Sequence, residues 1–158
     1  MKLNRILLLV SFCFLFSDFA YSQHTNPQTL IPSKLARYKF GMSIDSFKLI
    51  NKTALYSEAS AFDFRLECTD SKISSEFKSV TFYFDAENNK PLYEMIIEYK
   101  DEKAMKAFIQ SKLKAPNDDG DKWKWTTKEG TIFKAWTLGK KLVFALLLPN
   151  TEWDKTNQ

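Results

Sequence analysis

The sequence predicts an α+β protein in which two helices pack on one face of an antiparallel sheet. Two segments, near residues 44–51 and 102–114, follow capping residues and repeat apolar side chains at a helical spacing. Several other segments alternate apolar and polar residues, and short turn signals separate them. Because short turns join antiparallel neighbours, these segments are expected to form hairpins of one sheet.

Residues 1–22 have the features of a secretory signal peptide that is cleaved. A basic start precedes a short apolar run over residues 6–16, and Ala20 and Ser22 supply small residues before the cleavage point. The run is shorter than the about 20 residues that a membrane span needs. We therefore expect a mature chain from Gln23 that is periplasmic or secreted and has no membrane span after processing.

The mature chain has a length that suits one domain. Residues 35–150 are predicted to form this single α+β domain, and 151–158 a tail. Residues 23–34 contain Pro27 and Pro32 and show no periodicity. That segment is predicted to be flexible, as a tether or an extended edge.

Charge and cysteine content exclude several classes of protein. The net charge is +4, and no run of five basic residues occurs, so neither a nucleic-acid partner nor a polybasic membrane patch is expected. Cys13 is expected to leave with the leader, so Cys68 has no partner for an internal disulfide. We favour a buried thiol that packs as a small hydrophobe. An intermolecular disulfide or a reactive thiol is the alternative.

The first helix is predicted from about Ile44 to Asn51. Ser43 is a good N-cap, and Met42 can contact Phe47 across the helix start. The apolar residues that share one face are Ile44, Phe47 and Ile50.

A strand is predicted over residues 61–69. Its apolar residues alternate strictly and are Phe62, Phe64, Leu66 and Cys68. Asn88-Asn89 then predicts a hairpin turn, since asparagine tolerates positive φ. The register of that hairpin pairs Phe84 with Tyr93, Phe82 with Met95 and Val80 with Ile97.

Asp101 is predicted to cap a second helix over residues 102–114. After it, Glu129-Gly130 and Gly139-Lys140 are turn signals. They divide the remainder into strands near residues 122–128, 131–137 and 141–148.

The resulting order is a helix and three strands, repeated once, which is a possible tandem α-β-β-β unit. The helix start Phe40-Gly41-Met42-Ser43 resembles that of the small outer-membrane assembly lipoproteins. The tandem order is similar to that of the β-lactamase-inhibitor-like proteins. The resemblance implies helices on one face of an antiparallel sheet and a role in binding proteins; it assigns no functional residues.

The sequence contains no recognisable catalytic motif. The mature chain has one histidine, His24, in the N-terminal segment, so a serine triad has no base in the domain. HExxH and CxxC are absent, and no cofactor or metal is expected. Residues 118–121 are interpreted as a solvated loop, with a weak calcium site as the alternative. A pair of acids that hydrolyses a glycoside also stays open.

Three tryptophans carry the hypothesis about function. If Glu129-Gly130 is a two-residue turn, Trp123 lies opposite Trp136, and Trp125 lies opposite Lys134 on the same face. The opposite face of these strands is apolar too, so one face exceeds what a single core needs. The tryptophans are either covered as core or exposed as an aromatic patch, in which Lys134 adds a cation–π contact to Trp125.

We therefore predict a non-catalytic module that presents Trp123, Trp125, Lys134 and Trp136 to another envelope or extracellular protein. A small-ligand or glycan-binding protein of the cell envelope is the alternative, since aromatic faces also stack on sugar rings. A hydrolase that uses an acidic pair is the second alternative. The oligomeric state is left open.

Overall fold

The computed structural model describes residues 24–57, 63–151 and 154. These residues form one seven-stranded sheet in which every neighbouring pair is antiparallel. The predicted α+β class with an antiparallel sheet is confirmed. The signal peptide, Phe62 and most of the tail lie outside the described residues, and their assignments stay predictions. Within the described ranges, no helix is long and apolar enough to cross a membrane.

The described helices are α1 (Pro27–Leu30), α2 (Ile44–Ile50) and α3 (Glu102–Phe108), which continues as a π-helical turn over Ile109–Leu113. A 3₁₀ turn covers Ser33–Leu35. The strands are β1 (Leu55–Ser57), β2 (Arg65–Asp70), β3 (Phe77–Asp85), β4 (Leu92–Tyr99), β5 (Lys122–Thr126), β6 (Ile132–Leu138) and β7 (Lys141–Leu146). Their order across the sheet is β1-β2-β3-β4-β7-β6-β5, so the last strands of the two halves, β4 and β7, are neighbours.

Helix α2 forms where the sequence predicts it. The Ser43 hydroxyl accepts a hydrogen bond from the Ser46 N–H at 3.2 Å, and Ile44 and Phe47 are buried. Ile50 is instead 40% exposed. Each step of three residues falls about 60° short of a full turn. Ile50 therefore lies about 120° around the helix from Ile44 and reaches the edge of the buried face.

The chain leaves α2 through an asparagine-centred turn. The Asn51 side-chain oxygen accepts hydrogen bonds from the N–H groups of Thr53 and Ala54, both at 3.0 Å. This turn leads into β1, a strand of three residues that is too short to show a period in the sequence. Four strands rather than three therefore follow α2, and the tandem repeat stays a prediction.

The β3–β4 hairpin has the predicted register over most of its length. Phe82 lies opposite Met95 and Val80 opposite Ile97, as expected. The third predicted pair is wrong, because the ladder shifts after Tyr83 and places Phe84 opposite Leu92. The turn contains consecutive residues with positive φ, namely Asn88, Asn89 and Lys90. The extra residue at this shift is Tyr93 of β4, which has no opposite residue on β3, as in a β-bulge.

The second predicted helix is confirmed, with Asp101 as its cap. The Asp101 carboxylate accepts a hydrogen bond from the Lys103 N–H at 3.0 Å, and Met105 and Leu113 are buried. The last turn widens to π geometry, and the chain leaves it at Lys114 with a φ of 63°. This widened turn forms one wall of a cleft described below.

The helices and the N-terminal segment cover one face of the sheet. Phe47 of α2 contacts Phe82 of β3 at 4.7 Å between ring centroids, and Phe40 contacts Phe133 of β6 at 5.3 Å. Cys68 belongs to the same core and is fully buried, as expected for a thiol that packs as a small hydrophobe. Its burial raises the pKa of the thiol to about 12.

Residues 24–34 differ from the predicted tether or extended edge. The Asn26 side chain caps a helical turn that starts at Pro27, and the combination of an asparagine cap with a proline at the first helical position is a helix-start signal. Ile31 is buried. The Thr25 N–H also donates to the Thr126 carbonyl at 3.0 Å, which joins this segment to β5.

Candidate functional site

The β5–β6 hairpin places the tryptophans differently from the prediction. Trp123 lies opposite Ala135, and Trp125 lies opposite Phe133. Trp136 lies opposite Lys122. Because residues directly opposite each other share a face, Trp123 and Trp125 lie on one face of the sheet and Trp136 on the other. The predicted common face of the three tryptophans is wrong.

The reason is the length of the turn. The Thr127 N–H donates to the Thr131 carbonyl at 2.8 Å, and the Gly130 N–H donates to the Thr127 carbonyl at 3.0 Å. Three residues, 128–130, thus form the loop, and Gly130 takes the left-handed position with a φ of 82°. The prediction assumed a two-residue turn at Glu129-Gly130. A shift of one residue in register moves every side chain to the opposite face.

Trp123 is a core residue in this arrangement. Its side chain is 3% exposed, and its indole N–H donates to the Lys114 carbonyl at 3.3 Å. Trp125 lies on the same face, is half-buried and contacts Phe133 at 5.7 Å between ring centroids. Trp123 is therefore a core residue, and Trp125 is partly in the core.

The second hairpin has the predicted two-residue turn. Leu138 lies opposite Lys141 across Gly139-Lys140, and Trp136 lies opposite Val143. Val143 and Ala145 therefore share a face with Trp136, as the sequence predicts. Lys134 also lies on this face, so the expected cation–π contact between Lys134 and Trp125 is wrong.

We call the sheet face opposite the described helices the open face. The pairings assign its residues on β2, β3, β4, β7, β6 and β5: Arg65, Glu67, Thr69, Ser79, Thr81, Tyr83, Glu94, Ile96, Glu98, Lys141, Val143, Ala145, Lys134, Trp136, Leu138, Lys122 and Lys124. No helix among the described residues lies on this face. It is the candidate functional site.

Lysines surround Trp136 on the open face. Lys122 is directly opposite on β5, and Lys134 is two residues away on β6. Lys124 and Lys141 occupy diagonal positions on the two adjacent strands, at about 7–8 Å between backbones. We call Trp136 with Lys122, Lys124, Lys134 and Lys141 the lysine–tryptophan patch. Trp136 is half-buried, so part of its indole is accessible at the centre of the patch.

The other half of the open face is acidic and aromatic. Glu67, Tyr83 and Glu94 lie side by side on β2, β3 and β4, and the Arg65 guanidinium lies 4.3 Å from the centroid of the Tyr83 ring. Burial raises the pKa of the Tyr83 hydroxyl, and the negative charge of Glu67 adds to this effect. The open face is therefore polarised, with acids on β2–β4 and lysines on β5–β7.

The edge of the sheet at β5 is already occupied. The Asn117 side chain accepts from the Lys124 N–H at 2.8 Å and donates to the Lys124 carbonyl at 3.0 Å. The Asp118 N–H donates to the Lys122 carbonyl at 3.1 Å, and Thr25 binds Thr126 as described above. Because these bonds replace those of an added strand, the edge of β5 is protected against strand pairing.

Titratable side chains do not assemble into a catalytic or metal centre in the part of the chain that the structure describes. No group of three His, Cys, Asp or Glu residues within the described ranges has metal-binding geometry. In the loop considered for calcium, Asp119 pairs with Lys122 at 3.7 Å and Asp121 accepts a hydrogen bond from Thr137. His24 contacts the Thr127 carbonyl at 3.2 Å. Among the acidic residues that the structure describes, no contact distinguishes a pair, so the acidic-pair hydrolase stays a hypothesis.

Comparison with protein-family models, with characterised proteins and with solved structures finds no match to this chain. The resemblance to the small assembly lipoproteins and the β-lactamase-inhibitor-like proteins therefore stays a hypothesis.

Proposed function

We propose that the protein is an exported, non-catalytic module that binds another envelope or extracellular protein through its open face. The observation that supports this proposal is the lysine–tryptophan patch, which lies on the side of the sheet that no described helix covers. Of the four residues first predicted to meet the partner, Trp136 and Lys134 belong to this surface. Trp123 and Trp125 lie on the opposite face and are excluded from it.

The composition of the patch fits a protein interface. Tryptophan buries a large area with only two rotatable bonds, so ordering it on binding costs little entropy. Trp136 and Ile96 are half-buried and supply the accessible apolar surface, whereas Val143 and Ala145 are buried. Lysines lie around Trp136. An apolar centre with a polar rim is the usual arrangement of such interfaces.

The charges indicate what kind of partner the patch favours. Four lysines belong to it; Lys122 has an ion pair at 3.7 Å with the highly exposed Asp119, and Lys141 lies opposite Glu98 of β4. An exposed pair at this distance neutralises little of the charge that an approaching molecule meets. The patch therefore favours an acidic protein surface, and association is expected to slow as ionic strength rises.

Binding through the face is also favoured over strand addition. The β5 edge is occupied by Asn117, Asp118 and Thr25, and β1 at the opposite edge has three residues. A short or covered edge offers few unpaired backbone groups to a partner strand.

The experiment is affinity capture with crosslinking from envelope and medium fractions of the source cell. Wild-type bait is compared with Trp136→Ala and Lys134→Glu, which change the open face. Lys103→Glu is the matched control, because Lys103 is an exposed lysine on α3 at the helix side. Circular dichroism establishes that each variant is folded.

The proposal predicts a partner that wild type and Lys103→Glu capture and that both open-face variants lose. A partner that the folded open-face variants retain at wild-type level, or that Lys103→Glu loses equally, would contradict it.

A further inference from the structure

A cleft at the β5 edge adjoins the lysine–tryptophan patch and shares only Lys124 with it. Its volume is about 870 Å³, and its walls come from segments within residues 24–30, 112–117 and 124–126. Ligand-binding clefts commonly have about 300–1,000 Å³. The cleft is therefore large enough for a small ligand, and Trp125 is in its wall.

The walls of the cleft carry positive charge without acidic neighbours. Lys112, Lys114 and Lys124 line it, and no Asp or Glu is among its lining residues. The ion pairs found in the described part of the chain involve other lysines, at positions 34, 78, 106 and 122. Within the described ranges, the three cleft lysines thus have no carboxylate partner, and the cleft attracts anions.

Trp125 gives the cleft an aromatic surface and a hydrogen-bond donor. The indole contacts Phe133 in the core at 5.7 Å between ring centroids, and it also lines the cleft. Trp123 donates its indole N–H to Lys114, whereas the Trp125 indole N–H has no hydrogen-bond partner among the described residues. An aromatic ring of this kind stacks on the apolar face of a sugar ring, and its N–H can donate to a ligand oxygen.

Hydrogen bonds hold the walls of the cleft to β5. Asn117 binds both backbone groups of Lys124, and the Thr25 N–H binds the Thr126 carbonyl. His24 reaches the Thr127 carbonyl at 3.2 Å. Since these contacts fix the walls before a ligand arrives, little ordering is needed on binding.

We infer that this cleft binds an anionic saccharide. In this arrangement the sugar ring stacks on Trp125, and carboxylate or phosphate groups on the sugar pair with Lys112 and Lys114. A bare inorganic anion would leave the aromatic wall unused, and a neutral sugar would leave the lysines unused. The inference goes beyond the proposed function, because the cleft shares only Lys124 with the lysine–tryptophan patch and neither Trp136 nor Lys134 lines it.

Calorimetric titration of the protein purified from an exporting host tests the inference. The probes are trigalacturonate, which carries carboxylates, glucose 6-phosphate, which carries a phosphate, and neutral maltotriose. The Lys112→Gln/Lys114→Gln double variant removes charge from the cleft at nearly constant side-chain length. Lys134→Gln is the matched control, since it removes one charge from the open face instead.

The inference predicts that at least one anionic probe binds and that maltotriose binds at least about tenfold more weakly. The double variant should weaken the anionic probe about tenfold or more, and Lys134→Gln should leave it unchanged. Preference between trigalacturonate and glucose 6-phosphate identifies the anionic group. Absence of binding by both anionic probes, or equal binding by wild type and the folded double variant, would overturn the inference. Neither result would affect the open-face proposal, whose variants are different.

Discussion

Replacing Trp123 by alanine should destabilise the protein much more than the same change at Trp136. The two residues are the same type on adjacent strands of the same sheet, but Trp123 lies in the core and Trp136 on the open face. The comparison therefore tests the three-residue turn that separates them.

The magnitudes follow from burial and hydrogen bonding. Trp123 is 3% exposed, so the full cost of a large-to-small core substitution applies, about 3–5 kcal/mol. Loss of the hydrogen bond to the Lys114 carbonyl adds about 1 kcal/mol. Trp136 is half-buried, which reduces the expected cost to about 2 kcal/mol.

The assay is urea unfolding at pH 7, followed by far-ultraviolet circular dichroism. A loss of about 4–6 kcal/mol is comparable to the whole stability of many domains, so Trp123→Ala can be unfolded without denaturant. Trp123→Phe retains most of the ring and loses the indole donor, and its expected cost is about 1–3 kcal/mol. If Trp136→Ala cost as much as Trp123→Ala, both residues would be core, and the register of the β5–β6 hairpin would be refuted.

Three further predictions concern the turn, the buried thiol and a buried hydroxyl. Gly130→Ala should destabilise the protein by about 1 kcal/mol, since a Cβ is strained at a φ of 82°; an unchanged urea midpoint would contradict the left-handed turn. Cys68 has a folded-state pKa raised to about 12 from an ordinary value of 9.0, so its contribution to stability is complete below about pH 9 and is lost as the pH rises toward 12. Between pH 8 and pH 10 wild type should lose about 1 kcal/mol more stability than Cys68→Ala, and equal losses in urea titrations would refute this assignment. The Tyr99 hydroxyl is buried and has no hydrogen-bond partner in the described structure. Tyr99→Phe should therefore leave the melting temperature unchanged or raise it, whereas a fall of several degrees would show that the hydroxyl has a partner.

Local signals predicted the elements that depend on a few adjacent residues. Ser43 and Asp101 cap the two predicted helices, and Gly139-Lys140 forms the expected two-residue turn. In each case the contact that determines the structure joins residues no more than three positions apart. Sequence patterns are most informative at this range.

The turn at Gly130 shows where such reasoning fails. A glycine at the end of a two-residue turn and one at the end of a three-residue loop look alike in a sequence, and only the pairing distinguishes them. The Thr131 N–H also donates to the Thr127 hydroxyl at 3.1 Å, which closes the longer loop. Threonines on both sides of a loop, as at Thr127 and Thr131, favour the three-residue loop over the two-residue turn. Because the loop is one residue longer than predicted, Trp123 and Trp125 lie on the opposite face from the predicted binding surface.

The cleft had no comparable signal in the sequence. It forms because His24 and Thr25 contact Thr127 and Thr126 at the end of β5, about a hundred residues later in the chain, and because the last turn of α3 widens before Lys114. The sequence shows the three lysines and Trp125, but it does not show that the fold brings them together in one cleft. Such sites depend on tertiary contacts, which local periodicity does not encode.

The most direct test of the open-face proposal is site-specific photocrosslinking in the source cell. A photoreactive amino acid replaces Lys134 on the open face or, as the matched position, Lys103 on α3. The account predicts a crosslinked protein partner at position 134 and none of that mass at position 103. A partner crosslinked at position 103 and absent at position 134 would show that the helix side, and not the open face, is the binding surface.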